Sequence, residues 1–325
     1  MSNPFFKNTG PHNIKKLISS IKLKINNLSD EKINDIKDLH SSIKGDITFF
    51  HSKKYSEVAR MTKASYCITT ENLKSFLPNS CNTIISDNVL LHTAQLTKIF
   101  YPDSVTDDYD TTVKDINNTE YKDNVKFGKN ILIGKNVKIG SNTSIGNNTT
   151  IEHDVYVGKN CLIGSNITLK NTIIGDNVVI QDGCKIGVKG FGFVPLKDKN
   201  FRFPHIGRVL LNNNVELGAN CTIDRGSIGD TVIGENTFLD NQVHIAHNVK
   251  IGKNCIITAQ VGFAGSTTIG NRVSIGGQAG ISGHLNIGNN VQIGGGSGVI
   301  KNIPDNSKVM GYPAKNIRSF LKNEN

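Results

Sequence analysis

LDNQVHIAHNVKIGKNCIITAQVGFAGSTTIGNRVSIGGQAGISGHLNIGNNVQIGGGSGV, residues 239–299, carries a large apolar residue at every sixth position. The series runs Leu239, Ile245, Ile251, Ile257, Phe263, Ile269, Ile275, Ile281, Ile287, Ile293, Val299. Read backwards it continues through Ile233 and, one residue short, Ile228, Ile223, Leu217 and Leu211. Beyond an interruption it resumes at Ile186, Ile180 and Ile174, then, after a one-residue deletion, from Leu169 through Ile163, Val157, Ile151, Ile145, Ile139 and Ile133 to Phe127. Chance does not hold a period of six over so many repeats.

Six residues make one short strand and one turn, and three such units close a triangular coil of 18. The aliphatic residue points inward and stacks on its equivalents in the next coils. Strands alternate faces, so the residue two before it also points inward and must be small. That position holds Cys161, Cys184, Cys221, Cys255, Thr143 and Thr149, which assigns these four cysteines to core packing. Gly and Asn at the corners supply left-handed turn conformations. The expected fold is a left-handed parallel β-helix of hexapeptide repeats over residues 127–302. About 27 hexads make roughly nine coils. The interruption, Val188 to His205, includes Gly190-Phe191-Gly192-Phe193 and reads as a docking loop.

The repeat is absent from residues 1–105, which read as a small α/β domain. Ile14 to Asn27 fits a helix or a strand, Asp46 to Tyr55 begins with β-prone residues, and Ser65 to Thr70 reads as a strand. A polar linker fills 106–126. The tail, 303–325, carries a short helix over Ile317 to Lys322, placed to protect the open edge of the coil.

Bulk properties fit this division. The chain has 325 residues, 37% hydrophobic content and no Trp, thin for a globular core but suited to a narrow column. Its net charge of +10 is concentrated in residues 126–325, with 21 Lys/Arg against 12 Asp/Glu, whereas residues 1–125 hold 16 against 15. A basic second half suits an acidic partner or substrate. No basic cluster is interleaved with aromatics, which argues against nucleic acid. No run of 18 apolar residues is present, so no spanning helix is expected. The first ten residues lack the apolar stretch of a signal peptide, and the six cysteines form no CxxC, which together suggest a reduced, cytoplasmic setting.

Coil arithmetic gathers candidate chemistry. Gly265 lies one coil of 18 after His247 at the same corner, and His284 lies two coils on, offset by one. The three therefore share one ridge within roughly 10 Å. A general base beside a glycine N–H is the minimal apparatus for acyl transfer. The bland alternative is turn histidines bonding nearby carbonyls. A zinc site would use three histidines, but His244 and His247 flank an inward Ile and lack the spacing of hexad-repeat carbonic anhydrases.

Several strings then carry a resemblance covering nearly the whole chain. They are Phe5-Phe6, Gly10-Pro11, Gly45-Asp46-Ile47-Thr48-Phe49, Lys54-Tyr55, Gly190-Phe191-Gly192-Phe193, Ile206-Gly207-Arg208-Val209, Thr222-Ile223-Asp224-Arg225-Gly226, Leu239-Asp240-Asn241-Gln242, Ile245-Ala246-His247-Asn248, Gln260-Val261-Gly262-Phe263-Ala264-Gly265-Ser266 and Gly311-Tyr312-Pro313. The chain resembles the UDP-3-O-(3-hydroxyacyl)glucosamine N-acyltransferases of lipid A synthesis. The resemblance implies His247 as general base, Gly265 as the oxyanion N–H donor and His284 as an auxiliary near sugar or phosphate. It implies Phe49 and Tyr55 as the uracil sandwich, with Ser52 where the family often has Asn, and Asp240 and Asn241 as pocket-lining residues. The donor implied is a 3-hydroxyacyl group on the 4'-phosphopantetheine of acyl carrier protein. No bound cofactor or metal is implied, and the assembly implied is a homotrimer. The glycine run ending at Gly298 is expected to leave room for the acyl tail.

Other readings stay open at this stage. The O-acyltransferase of the same pathway shares the hexads but lacks the front domain and has a larger helical C-terminus. An acetyl-CoA-dependent sugar acetyltransferase lacks the Phe49/Tyr55 segment. A zinc hydratase or a purely structural β-helix needs none of the acyl-transfer apparatus.

Overall fold

The computed structural model describes residues 3–23, 30–106, 108–116, 121 and 124–322. The chain forms two compact units. One comprises Met1–Asp107, Gly192–Ile206 and Ser227–Gly229; the other comprises Asp108–Phe191, Gly207–Gly226 and Asp230–Asn325.

The second unit is the left-handed parallel β-helix. Among the described residues its three faces are sheets of eight, eleven and ten strands, here the first, second and third face. Most strands are two residues long, because a third would carry the chain past the corner. On the third face Ile245, Phe263, Ile281 and Val299 follow one another in register. All four are at most 3% exposed. Burying each side chain is worth about 1.5–3 kcal/mol, and the column repeats this in every coil. The inward position two residues earlier is equally dry: Cys161, Cys184, Cys221, Cys255, Thr143 and Thr149 are all buried. Each threonine hydroxyl is satisfied locally, Thr143 by the Gly158 carbonyl at 2.9 Å and Thr149 by that of Gly164 at 3.0 Å. The cysteines are free thiols.

Corners follow a two-residue rule. The second corner residue adopts positive φ, as at Asn130, Asn136, Asn142, Asn148 and Asn160. Asn tolerates this region better than most side chains. At a subset of corners the first residue points its N–H along the coil axis, where a polar side chain one coil on accepts it. Lys129 N–H donates to Asn147 Oδ1 at 2.7 Å, Lys159 to Asp176 at 2.8 Å and Lys253 to Asn271 at 2.8 Å.

Both ends of the coil are covered. Lys114–Asp115 pairs antiparallel with Leu132–Ile133, and Asp110 Oδ2 accepts the N–H of His153 at 2.7 Å. Asp110 and Lys114–Asp115, within the stretch expected as a linker, thus supply the first cover; residues 107, 117–120, 122 and 123 lie outside the described residues. At the far end Lys308–Met310 extends the second face, Lys315–Asn316 closes it antiparallel, and the helix Ile317–Lys322 packs on both.

The interruption distorts the third face before leaving it. Register shifts between Ile186 and Val188, and Gly187 between them takes φ +79°, where a side chain would strike the Lys170 carbonyl. Arg225, 1% exposed, donates to the Gly187 carbonyl at 3.1 Å. The chain then forms an antiparallel hairpin, Phe193–Pro195 with Asn200–Arg202, in the first unit.

Among the described residues that first unit has a four-stranded parallel sheet in the order Asp35–Ile36, Asp46–Phe50, Tyr66–Thr69, Asn82–Ile85. The helix Val89–Phe100, capped by Asn88, and the helix Ile14–Ser20, capped by Asn13, bury Leu96, Phe100, Ile14, Leu17 and Ile18 with Ile47, Ile68 and Ile84. The segment from Ile14 is therefore helical at its start; residues 24–29 lie outside the described residues. Val194 of the hairpin and Phe203 just after it are buried with Ala94 of the helix Val89–Phe100. The docking loop docks on its own chain.

Candidate active site

The corner that follows the third face carries His247, Gly265 and Gly283 in successive coils, each two residues beyond an inward apolar residue. His247 folds its ring down the axis onto the next coil. A Cβ built on Gly265 would lie 2.7 Å from its Cε1 and 2.8 Å from its Nε2, so only glycine leaves the ring its seat. Nδ1 lies 3.1 Å from Asn248 Oδ1. An amide oxygen only accepts, so Nδ1 carries the hydrogen and the lone pair resides at Nε2. Burial lowers the His247 pKa below the ordinary imidazole value, only partly opposed by the Asn248 bond, and the ring is neutral at pH 7.

The Gly265 peptide is anchored through its oxygen. The His284 N–H donates to that carbonyl at 3.0 Å, and the Ser266 N–H donates to the His247 carbonyl at 2.9 Å. His284 takes φ +58° as the second corner residue, and its imidazole is exposed. The structure thus brings together the three residues that coil arithmetic gathers. His244 belongs elsewhere: it lies on the outer side of the strand His244–Ile245 and pairs with Thr222 Oγ1 at 2.7 Å. Among the described residues no group of three His, Cys, Asp or Glu could hold a metal ion.

Beside this corner, the outward positions of the third face run His244, Gly262, Gly280, Gly298. A side chain at Gly262 or Gly280 would meet nothing within 4 Å. Gly298 differs: a side chain there would collide with the Tyr312 ring. The Tyr312 ring thus covers the outward side of Gly298, where room for an acyl tail is expected, while the outward sides of Gly262 and Gly280 are open. Their 18-residue spacing from Gly298 was the available signal, whereas nothing local marks Tyr312 as its cover.

Asp240 and Asn241 sit at a different corner, after the second face. Asp240 Oδ1 accepts from the Asn241 N–H at 2.7 Å, and Asn241 Oδ1 caps the Ala219 N–H at 2.8 Å. Within one chain they occupy the opposite end of the third-face strand from His247.

In the first unit Phe49 lies on the strand Asp46–Phe50 and Tyr55 ends the 3-10 turn Lys53–Tyr55; both are partly buried. His51 contacts both rings, with centroids 5.9 Å from Phe49 (stacked) and 5.7 Å from Tyr55 (tilted). Sequence reasoning passed over His51, which stands just beyond the strand, two residues after Phe49. Burial raises the Tyr55 phenol pKa. Ser52 caps the turn, its oxygen accepting from the Lys54 N–H at 3.5 Å, so its hydroxyl has a structural duty.

The chain is similar to known proteins over both units. Residues 30–99 match the family described as UDP-3-O-(3-hydroxymyristoyl) glucosamine N-acyltransferase, LpxD. Residues 136–166 and 230–265 match bacterial transferase hexapeptide repeats. A UDP-3-O-acylglucosamine N-acyltransferase 2 of Legionella pneumophila is 40% identical, covering 99% of this chain and 95% of that protein. A UDP-3-O-acylglucosamine N-acyltransferase of Rhizobium rhizogenes is 54% identical over 72 residues, 22% of this chain and 20% of its own length. Among solved structures, a UDP-N-acetylglucosamine acyltransferase from Campylobacter jejuni shares the fold. Its TM-score is 0.53 at 22% identity, covering 59% of this chain and 73% of that one.

Proposed function

The chain belongs to the UDP-3-O-acylglucosamine N-acyltransferase family, and from that premise we propose that it moves a 3-hydroxyacyl chain onto the 2-amine of a UDP-3-O-acylglucosamine. The observation that carries the chemistry is the His247 imidazole lying on Gly265, with its Nδ1 bonded to Asn248. Burial keeps that imidazole neutral, so Nε2 accepts the proton of the attacking amine. The Gly265 N–H donates to the oxygen that gains charge when the thioester carbon becomes tetrahedral. Collapse expels the thiolate, and the imidazolium gives it the proton taken from the amine. His284 holds the Gly265 carbonyl through its backbone and offers an exposed imidazole to sugar or phosphate.

Phe49 and Tyr55, with His51, give the first unit an aromatic surface suited to stacking uracil. Gly262 and Gly280 offer a smooth floor for the acyl tail. The donor is an acyl group on the 4'-phosphopantetheine of acyl carrier protein, an acidic partner that the +9 charge of residues 126–325 would attract. A homotrimer would bring Asp240 and Asn241 of one prism towards the His247 corner of another. Among the described residues no helix is long and apolar enough to cross a membrane. The setting proposed for the reaction is the cytoplasm.

The test is mass-spectrometric detection of an amide from UDP-3-O-acylglucosamine and hydroxyacyl-carrier protein. Acylation of a hydroxyl instead would transfer the assignment to the O-acyltransferases, and no acyl transfer at all would sink it.

A further inference from the structure

The corner after the first face caps its first amide from one coil on, and the corner that carries His247 treats the Gly265 amide differently. At Lys253, Asn271 and Asn289 the first corner N–H donates to the side chain one coil on, Asn271, Asn289 and Asp305, at 2.8, 2.9 and 2.8 Å. The equivalent partner for Gly265 is position 283, where Gly283 has no side chain to accept with. Among the described residues no acceptor pairs with the Gly265 N–H, although its carbonyl is taken by His284.

Glycine at 283 is not required by the backbone, whose φ lies outside the left-handed region. It is not required by a crowding side chain either. A Cβ there would meet the Gly265 carbonyl oxygen at 3.0 Å, a tight contact, and Ala264 Cβ at 3.7 Å. The same Cβ would stand 3.9 Å from the Gly265 nitrogen. A short side chain with a terminal oxygen would then reach that N–H as Asn271 reaches the N–H of Lys253.

We propose that Gly283 is a positioning residue whose missing side chain keeps the Gly265 amide open for the oxyanion. The inference rests on the acyl-transfer reading above. As the amine nitrogen bonds to the thioester carbon, the carbonyl π pair moves onto oxygen, and that oxygen accepts the Gly265 N–H. Re-forming the carbonyl breaks the carbon–sulfur bond, and the thiolate takes the proton held by His247. Gly283 touches none of these atoms; it acts by leaving the donor without a competing acceptor. Asn or Asp at this position would satisfy the amide from within the coil, stabilise the corner and remove the donor from the reaction.

Full-length Gly283→Asn and Gly283→Ala variants decide the matter. Gly283→Asn should lower kcat by about 100-fold or more, the loss typical of an oxyanion donor, with KM for both substrates within about threefold. Its thermal midpoint should equal or exceed the wild-type value, and its crystal structure should place the introduced side-chain oxygen within hydrogen-bond distance of the Gly265 nitrogen. Gly283→Ala adds bulk without an acceptor and should stay within about fivefold of wild-type kcat, since only the tight 3.0 Å contact must relax. Wild-type kcat in Gly283→Asn, or equal losses in the two variants, overturns the inference and leaves the functional reading standing. A wild-type chain that forms no amide overturns both.

Discussion

Lys253 and Gly265 are first corner residues of the same coil and treat the same N–H in opposite ways. The Lys253 amide is closed by Asn271 at 2.8 Å, whereas the Gly265 amide has Gly283 above it and the His247 ring against its Cα. One corner uses its donor to hold adjacent coils together, worth about 1 kcal/mol per bond. The other keeps its donor for a charge that exists only during reaction, where it is worth several-fold more because the site is preorganised. The fold supplies both from one template, and a single side chain one coil away selects between them.

The contrast can be broken most strongly at the base. His247→Ala should lower kcat by about 10³-fold with the coil intact by circular dichroism, because the proton acceptor is gone and the column beneath is untouched. Retained turnover would reduce the working corner to a structural one. Next comes Gly265→Ala. Its methyl would stand 2.7 Å from His247 Cε1, displacing the ring, and should cost about 10²-fold in kcat with little change in KM.

The first unit offers a smaller effect of another kind. Tyr55→Ala removes one stacking ring and should raise KM for the UDP-sugar about tenfold at near-constant kcat, in line with about 1–1.5 kcal/mol per aromatic pair. A fall in kcat instead would place Tyr55 in the chemistry. At the structural corner, Asn271→Ala removes the cap of Lys253 and should cost about 1 kcal/mol of stability in a denaturant titration, with kcat unchanged. Loss of activity there would erase the distinction between the corners.

The smallest effect is a shift in pH dependence. Only the neutral imidazole accepts a proton, and burial lowers the His247 pKa. Activity should therefore be lost as pH falls through that lowered value, placing the acid limb of kcat/KM below the ordinary imidazole pKa of about 6.5. An acid limb above that value would show that substrate or a neighbouring anion, not burial, governs the ring.

The sequence by itself determined the coil, because six-residue periodicity is a local property repeated many times and each repeat demands the same inward aliphatic. Its 18-residue arithmetic also aligned His247, Gly265 and His284, since a solenoid turns sequence distance into spatial distance. Tertiary structure alone decided what a period cannot encode. It set the Tyr312 ring over Gly298, left the outward sides of Gly262 and Gly280 open, and engaged Ser52 as a cap. It also took residues 192–206 out of the coil unit and packed Val194 and Phe203 with Ala94. These contacts join segments with no fixed spacing, and side-chain shape and burial, not repetition, select them.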